Sequence, residues 1–238
     1  MSIKEKSTNF ASALYLVATP IGNLDDISVR SLKLLRVADV IFCEDTRNTG
    51  QLLKLYGIAA PRLVSCHEHN EQSQVDVIIQ EVNLGKIVVY VSDAGTPAIS
   101  DPGGRIVQGA IQAGIDVVSV PGATAFVTAL VASGLNCNEF AFLGFPPQKK
   151  GRKNFLLHAK SLGITVVLYE SPYRIITLIE EIIELWGIEI ELCVARELTK
   201  LHEEYLRGKA GEILQQIRAK SSVKGEFVVI IGVLSKDK

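Results

Sequence analysis

The stretch YVSDAGTPAISDPGG, Tyr90 to Gly104, runs from an apolar strand-like segment straight into a loop of glycine, proline, hydroxyl and aspartate residues. Three other stretches share that character: ATPIGNLDD (Ala18–Asp26), VPGATA (Val120–Ala125) and YESPYR (Tyr169–Arg174). Each follows a strand-like run. In an open α/β sheet, ligands sit outside the carboxyl ends of the strands, so these loops are expected to gather at one edge. Glycine and alanine let the main chain come close to a ligand, and backbone N–H and C=O groups become the binding surface. Asp93, at the strand end, suits a ribose hydroxyl or a ligand amine, and Thr96 and Thr124 can donate. No basic residue occurs in these loops before Arg174, so the pattern suits a polar, nucleoside-like molecule without a phosphate.

A second kind of chemistry sits in CEDTR. It supplies Glu44, Asp45 and Arg47 at the end of a buried strand. A carboxylate there can take a proton, and Arg47 can hold a phosphate. The plain alternative is a surface ion pair at a helix start, where acidic side chains are favoured anyway. Asn23, Arg174 and the ARELTK run (Arg196, Glu197, Lys200) are further polar candidates for the same edge. Lys149, Lys150, Arg152 and Lys153 form the dense basic cluster of the chain, inside a proline-rich segment. They suit contact with a nucleic-acid backbone, or else a solvated linker. In CHEH, His67 and His69 would share a strand face. Tetrahedral sites also draw on distant ligands, so a polar loop is the reading and no metal is expected.

These residues need elements to position them. Ala13–Ala18, Asp39–Cys43, Ile87–Ser92 and Asp116–Val120 read as strands, near-continuously apolar in the way of strands buried on both faces. Segments with helical period lie between them: Ser28–Val37, Thr46–Tyr56, Glu71–Leu84 and Gly104–Ala113. The alternation predicts an α/β lobe over 13–121, with residues 1–12 as a flexible tail. A second α/β lobe is expected over 122–238, with strands at Phe140–Leu143, Thr165–Glu170, Glu189–Ala195 and Glu226–Leu234. Its clearest helix runs from Ser171 to Trp186. Ser171 is placed as the cap, Pro172 in the first turn and Gly187 at the close, with Ile175, Ile176, Ile179, Ile182, Ile183 and Trp186 on the buried face.

The totals exclude several classes. The chain has 238 residues, 47% of them apolar and 21% charged, which fits one large domain or two small lobes with a real core. The net charge of −1 gives no global pull toward nucleic acid, so any such contact needs a local patch. Cys43, Cys66, Cys137 and Cys193 are far apart and read as reduced thiols. With a polar N-terminus and no apolar run long enough for a bilayer, the expected location is cytoplasmic. The dinucleotide fingerprint, the P-loop, the nucleophile elbow and the HExxH zinc motif do not occur.

In order and spacing, LYLVATPIGNLDDIS.R, CEDTR.TG.LL, HEHNE, VSDAGTPAISDPG, VPGA.A, F.GFPP, YESPYR, ARELTK..EE and KGEFVV resemble the tetrapyrrole-methylase-fold, S-adenosylmethionine-dependent methyltransferases, and among them the branch that acts on small-subunit ribosomal RNA. The motifs span about Leu14 to Val229. The resemblance implies two α/β lobes of the tetrapyrrole methylase type with the ligand cleft between them, S-adenosylmethionine as methyl donor, and a homodimer. It implies 2′-O-methylation of a decoding-centre cytidine of 16S rRNA within the small subunit, with no DNA and no membrane partner. By position it places Pro20, Ser92, Asp93, Thr96, Ala98, Thr124, Ala125, Tyr169, Glu170, Ala195, Leu198 and Gly225 around the donor. Glu44, Asp45 and Arg47 are then the catalytic candidates. Asn23, Lys149, Lys150, Arg152, Lys153, Arg174, Arg196 and Lys200 are the RNA-binding ones. Many members carry a further C-terminal module. This sequence ends at Lys238, so such contacts are expected to be absent or made by other surfaces. Two rival readings remain at this point: a tetrapyrrole-type small substrate on the same fold, or a non-catalytic nucleoside-binding or ribosome-assembly factor.

Overall fold

The computed structural model describes residues 9–233. They form two compact units divided between Thr124 and Ala125, where the sequence placed the boundary at Pro121. The first unit alternates β1 (Ala13–Val17), α1 (Val29–Val37), β2 (Val40–Cys43), α2 (Thr46–Leu55), β3 (Arg62–Ser65), α3 (Glu71–Asn83), β4 (Ile87–Val91), α4 (Gly104–Gln112) and β5 (Val117–Val120). Every pairing is parallel, in the order β3-β2-β4-β1-β5.

Alternation along β1 explains the layering. Tyr15 and Val17 pack with Leu34, Leu35 and Leu53 of α1 and α2. Leu14 packs with Val75, Ile78 and Ile106 of α3 and α4 on the other face. Both faces are covered, which is why these strands are apolar throughout. The connections leaving β1 and β2 therefore go to one face, and the connection leaving β4, which lies between them, goes to the other. Such a reversal opens a crevice at the carboxyl ends of the strands.

The expected tail over 1–12 is corrected at its end. Ser12 Oγ donates to Val82 O at 2.7 Å and Lys86 O at 3.0 Å, and Phe10 packs edge-on against Tyr15 with ring centroids 5.8 Å apart. Residues 1–8 lie outside the described residues.

The second unit contains α5 (Ala125–Val131), β6 (Phe140–Gly144), α6 (Arg152–Ser161), β7 (Thr165–Glu170), α7 (Ile175–Trp186), β8 (Glu191–Arg196), β9 (Glu204–Lys209), α8 (Ala210–Arg218) and β10 (Phe227–Ile231). Its sheet runs β6-β7-β10-β8-β9, parallel only between β6 and β7. Ile175, Leu178, Ile179, Ile182 and Trp186 are the buried face of α7, each worth roughly 1.5–3 kcal/mol as an apolar side chain removed from water. Leu234, expected to end the last strand, lies outside the described residues.

The start of α7 differs from expectation. Ser171 does not cap it; the helix begins four residues later, after a turn in which Ser171 O accepts from Arg174 N and Ile175 N, each at 3.1 Å. The Glu170 carboxylate causes this. Its Oε1 accepts from Ser171 N at 2.8 Å and from Arg174 Nε at 3.1 Å, which bends the chain before the helix can start. Elements α5, β9 and α8 had no strong signal in the sequence.

Candidate functional site

In the first unit, three of the glycine- and proline-rich loops meet at the carboxyl rim. They leave the adjacent strands β4, β1 and β5, and they are fastened to one another. Thr19 N donates to Gly95 O at 2.9 Å, and Gly95 N returns a bond to Thr19 O at 3.0 Å. Thr96 Oγ1 donates to Ala123 O at 3.1 Å and lies 2.7 Å from Thr124 Oγ1. Gly122 lets the β5 loop approach the β1 loop: a Cβ there would stand 2.7 Å from Ala18 Cβ, closer than carbon atoms pack. Pro20, Ser92, Asp93, Thr96, Ala98 and Thr124 therefore share one rim. Ala98 and Ser100 hold φ of 67° and 60°, a backbone state that costs roughly 1–3 kcal/mol for a residue with a side chain and collects at binding sites.

Asp93 joins that rim to the CEDTR segment. Its Oδ1 accepts from Asp45 N at 3.3 Å, and its Oδ2 accepts from the Asn48 side-chain amide at 2.9 Å. Asp45 caps α2: its Oδ1 accepts from Arg47 N at 2.8 Å and Arg47 Nε at 3.1 Å, while Oδ2 accepts from Nη2 at 2.6 Å. Arg47 thereby holds the Asp45 carboxyl down to about 2. A carboxylate so firmly ionised is a poor proton acceptor, so Asp45 and Arg47 shape the α2 terminus. Glu44 behaves differently: burial, and then the Asp93 charge, raise its carboxyl. Asp101, which the sequence reading passed over, is pushed up to about 6 by burial and by Glu44. Beside Asp93, a depression of about 180 Å³ is lined by Asn48, Thr49, Gln51, Leu52, Leu55 and Ser92.

In the second unit, the predicted residues gather at one end of the sheet. Phe227, at the start of β10, pairs with Glu170 on one side and Arg196 on the other. Ala195 and Leu198 are buried beside that end, and Gly225 packs on the Glu197 side chain. Ala125 opens α5. Tyr169 belongs to an aromatic group that sequence reasoning missed. Phe126 stacks on Phe142 at 4.3 Å, Phe142 meets the Tyr169 ring edge-on at 4.9 Å, and Phe145 lies 5.3 Å from it. Phe126 N donates to Tyr169 Oη at 3.2 Å. The F.GFPP motif was the visible trace of this group.

The basic candidates separate into two sets. Arg152 was expected to face RNA, and that expectation is corrected. It is buried, with Nη2 on Glu170 Oε2 at 3.0 Å and Nε on Glu181 at 2.8 Å. Burying a guanidinium requires such partners. Arg174 is held by Glu170, Lys200 by Glu197 and Glu226, and Arg196 by Lys224 O. Lys149, Lys150 and Lys153 are exposed and have no ion pair among the described residues. Asn23 is also exposed, and its side chain accepts from Asp25 N at 3.0 Å. CHEH forms no metal cluster among the described residues, and no described helix is long and apolar enough to cross a membrane.

Residues 13–214 match the family described as Tetrapyrrole (Corrin/Porphyrin) Methylases. A protein of Halalkalibacterium halodurans named ribosomal RNA small subunit methyltransferase I is 46% identical over 219 residues, covering 92% of this chain and 75% of that one. A protein of the same name from Hydrogenobaculum sp. is 41% identical over 218 residues, covering 92% and 94%. A crystal structure of diphthine synthase aligns with a TM-score of 0.70 at 15% identity, covering 92% of this chain and 89% of that one, which speaks for the fold alone. With that match to the family, the shared fold and this closeness to relatives of one name, the chain belongs to the tetrapyrrole methylase family and, within it, to the ribosomal RNA small subunit methyltransferase I group.

Proposed function

We propose that the chain is an S-adenosylmethionine-dependent methyltransferase that modifies small-subunit ribosomal RNA, at the ribose 2′ oxygen of a decoding-centre cytidine. The observation that carries the reading is the fastening of three strand-end loops into one rim through main-chain amides, carbonyls and threonine hydroxyls. The printed name of the relatives supports ribosomal RNA as the substrate. The homodimer rests on the resemblance in the sequence, and the cytoplasm on the four scattered cysteines read as reduced thiols.

The residues fit the donor. A sulfonium with an adenosine and an amino-acid tail carries no phosphate, and the three fastened loops, 18–26, 92–103 and 120–125, contain no lysine or arginine to hold one. Aromatic faces at Phe142, Phe145 and Tyr169 suit a nucleobase. Ser171 Oγ is buried without a partner among the described residues, one residue beyond Glu170. Such a hydroxyl is available to a ligand.

When bound, the donor supplies an electrophilic methyl group. The chain then has two tasks. One is orientation, because lining up a nucleophile at near-attack distance supplies much of the acceleration. The fastened rim and the Asp93–Asn48 bond are rigid parts suited to that task. The other is acceptance of the 2′-hydroxyl proton. Asp101 suits this role better than Asp45, since a carboxylate near 6 is largely ionised at neutral pH yet basic enough to accept. Lys149, Lys150 and Lys153 are the groups available for RNA phosphates.

The test is transfer of a labelled methyl group to small ribosomal subunits that lack the modification, followed by mapping of the labelled nucleotide. Label on a cytidine 2′ oxygen is expected. Label on a base, or on a tetrapyrrole with none on RNA, overturns the reading.

A further inference from the structure

The HEHNE motif performs no step in the proposed reaction, yet its last residue reaches the loop that carries most of the first unit's candidate donor-site residues. Glu71 is 5% exposed. Its Oε1 accepts from three main-chain donors across the space between helices: Gly103 N at 2.8 Å, Arg105 N at 3.0 Å and Ile106 N at 3.3 Å. These are the first amides of α4, which a helix cannot satisfy by itself. The α4 terminus has no side chain of its own to do this, because its capping residue is Gly103. Glycine is required there: φ is 130°, and a Cβ would stand 3.0 Å from Tyr90 Cε1 and 3.3 Å from Ala98 N. The cap must come from elsewhere, and Glu71 supplies it as a buried carboxylate at the positive end of a helix.

The preceding residues aim the carboxylate. Asn70 Oδ1 accepts from His67 N at 2.8 Å, and its amide donates to Ser65 O at 3.0 Å. This closes the turn after β3 and starts α3 with Glu71 pointing inward. On the other side, Ala98 N donates to Pro102 O at 3.1 Å. Residues 98–102 thus form a closed knob standing directly on the amides that Glu71 grips. Ala98 and Asp101 both belong to that knob.

We infer that Glu71 is a positioning residue: its carboxylate locks the far end of the Ser92–Gly103 loop and so holds the donor-binding backbone in its strained, binding-ready form. This rests on the proposed donor site. Removing the carboxylate releases three amides and lets the knob relax, so the binding conformation becomes only one of several populated states.

The experiment compares E71A and E71Q with I78A, a core truncation on the same helix α3, well below the melting temperature of each. Hydrogen exchange is read first, since it needs no ligand. In E71A the amides of Ala98, Gly103, Arg105 and Ile106 are expected to exchange about tenfold or more faster than in I78A. E71Q keeps an acceptor oxygen and restores most of the protection. Calorimetric titration with S-adenosylhomocysteine is read second. E71A is expected to weaken binding by about tenfold, E71Q by only a few-fold, and I78A hardly at all, because a merely less stable protein that is still folded binds normally. Unchanged protection at Ala98 in E71A overturns the inference, as does an E71A affinity equal to that of I78A. A wild-type protein that gives no heat with S-adenosylhomocysteine sinks the donor-site reading instead, and the lock is then judged on exchange alone.

Discussion

Arg152 Nη2 stands 3.0 Å from Glu170 Oε2, and both side chains are buried. The pair ties α6 to the end of β7, and Glu181 of α7 holds the other side of the guanidinium at 2.8 Å. Removing one partner of a buried pair strands the other charge, which costs about 3–5 kcal/mol. R152A is expected to lower the unfolding free energy by about that amount in urea titrations. A loss below about 1 kcal/mol would mean that Arg174 and Ser171 N suffice for Glu170.

The exposed lysines behave oppositely. K149A, K150A and K153A together are expected to leave stability within about 0.5 kcal/mol per site of wild type. Binding to small subunits should weaken, and the slope of log affinity against log salt should flatten by about 2. Filter binding across a salt series reads both. An unchanged slope would take these lysines out of the RNA contact.

Asp101 sets a pH dependence with a definite sign. Burial and Glu44 raise its folded pKa to about 6, against about 3.9 unfolded. Between those values the folded state binds more protons, so Asp101 makes the protein less stable as pH rises from about 4 to 6. D101N is therefore expected to melt higher than wild type at pH 8, by about 1 kcal/mol after allowance for partial exposure. The gain should vanish below about pH 4, where both forms are neutral. Thermal melts at the two pH values decide it.

If Asp101 takes the 2′ proton, methyl transfer rises through about pH 6 as it ionises. Glu44 is one of the charges that hold it there. E44Q is expected to move the midpoint of the pH–rate profile downward, and D101N to flatten the profile. Identical profiles in wild type and E44Q would show that another group accepts the proton.

G122A is expected to cost about 1–3 kcal/mol, because its Cβ would lie 2.7 Å from that of Ala18. The A18G/G122A double variant should recover much of the loss. A double-mutant cycle with no coupling would show that the two loops part without strain.

Much of this was readable from residue order. The four parallel strands β1, β2, β4 and β5 and the helices of the first unit announce themselves because burial on both faces makes their strands apolar throughout. The rim loops follow from their glycine, proline and threonine content. What escaped is pairwise. Nothing local in KKGRK distinguishes Arg152, which turns inward to Glu170 and Glu181, from the lysines beside it. The start of α7 was misplaced because a serine–proline pair is a good helix opening only when no carboxylate bends the chain first. Asp101 and Glu71 gain their roles from neighbours distant in the chain, and β9, a partly polar edge strand, lacks the apolar signature that betrays a central one.

The position of β10 bears on how the chain is made. Among the described residues it is the final strand, yet it sits in the middle of its sheet, flanked by β7 and β8. Until Phe227–Ile231 has been synthesised, those two neighbours present open hydrogen-bonding edges with apolar side chains. The second unit therefore closes only when nearly all of the described chain has left the ribosome, whereas every strand of the first is available once Val120 has emerged.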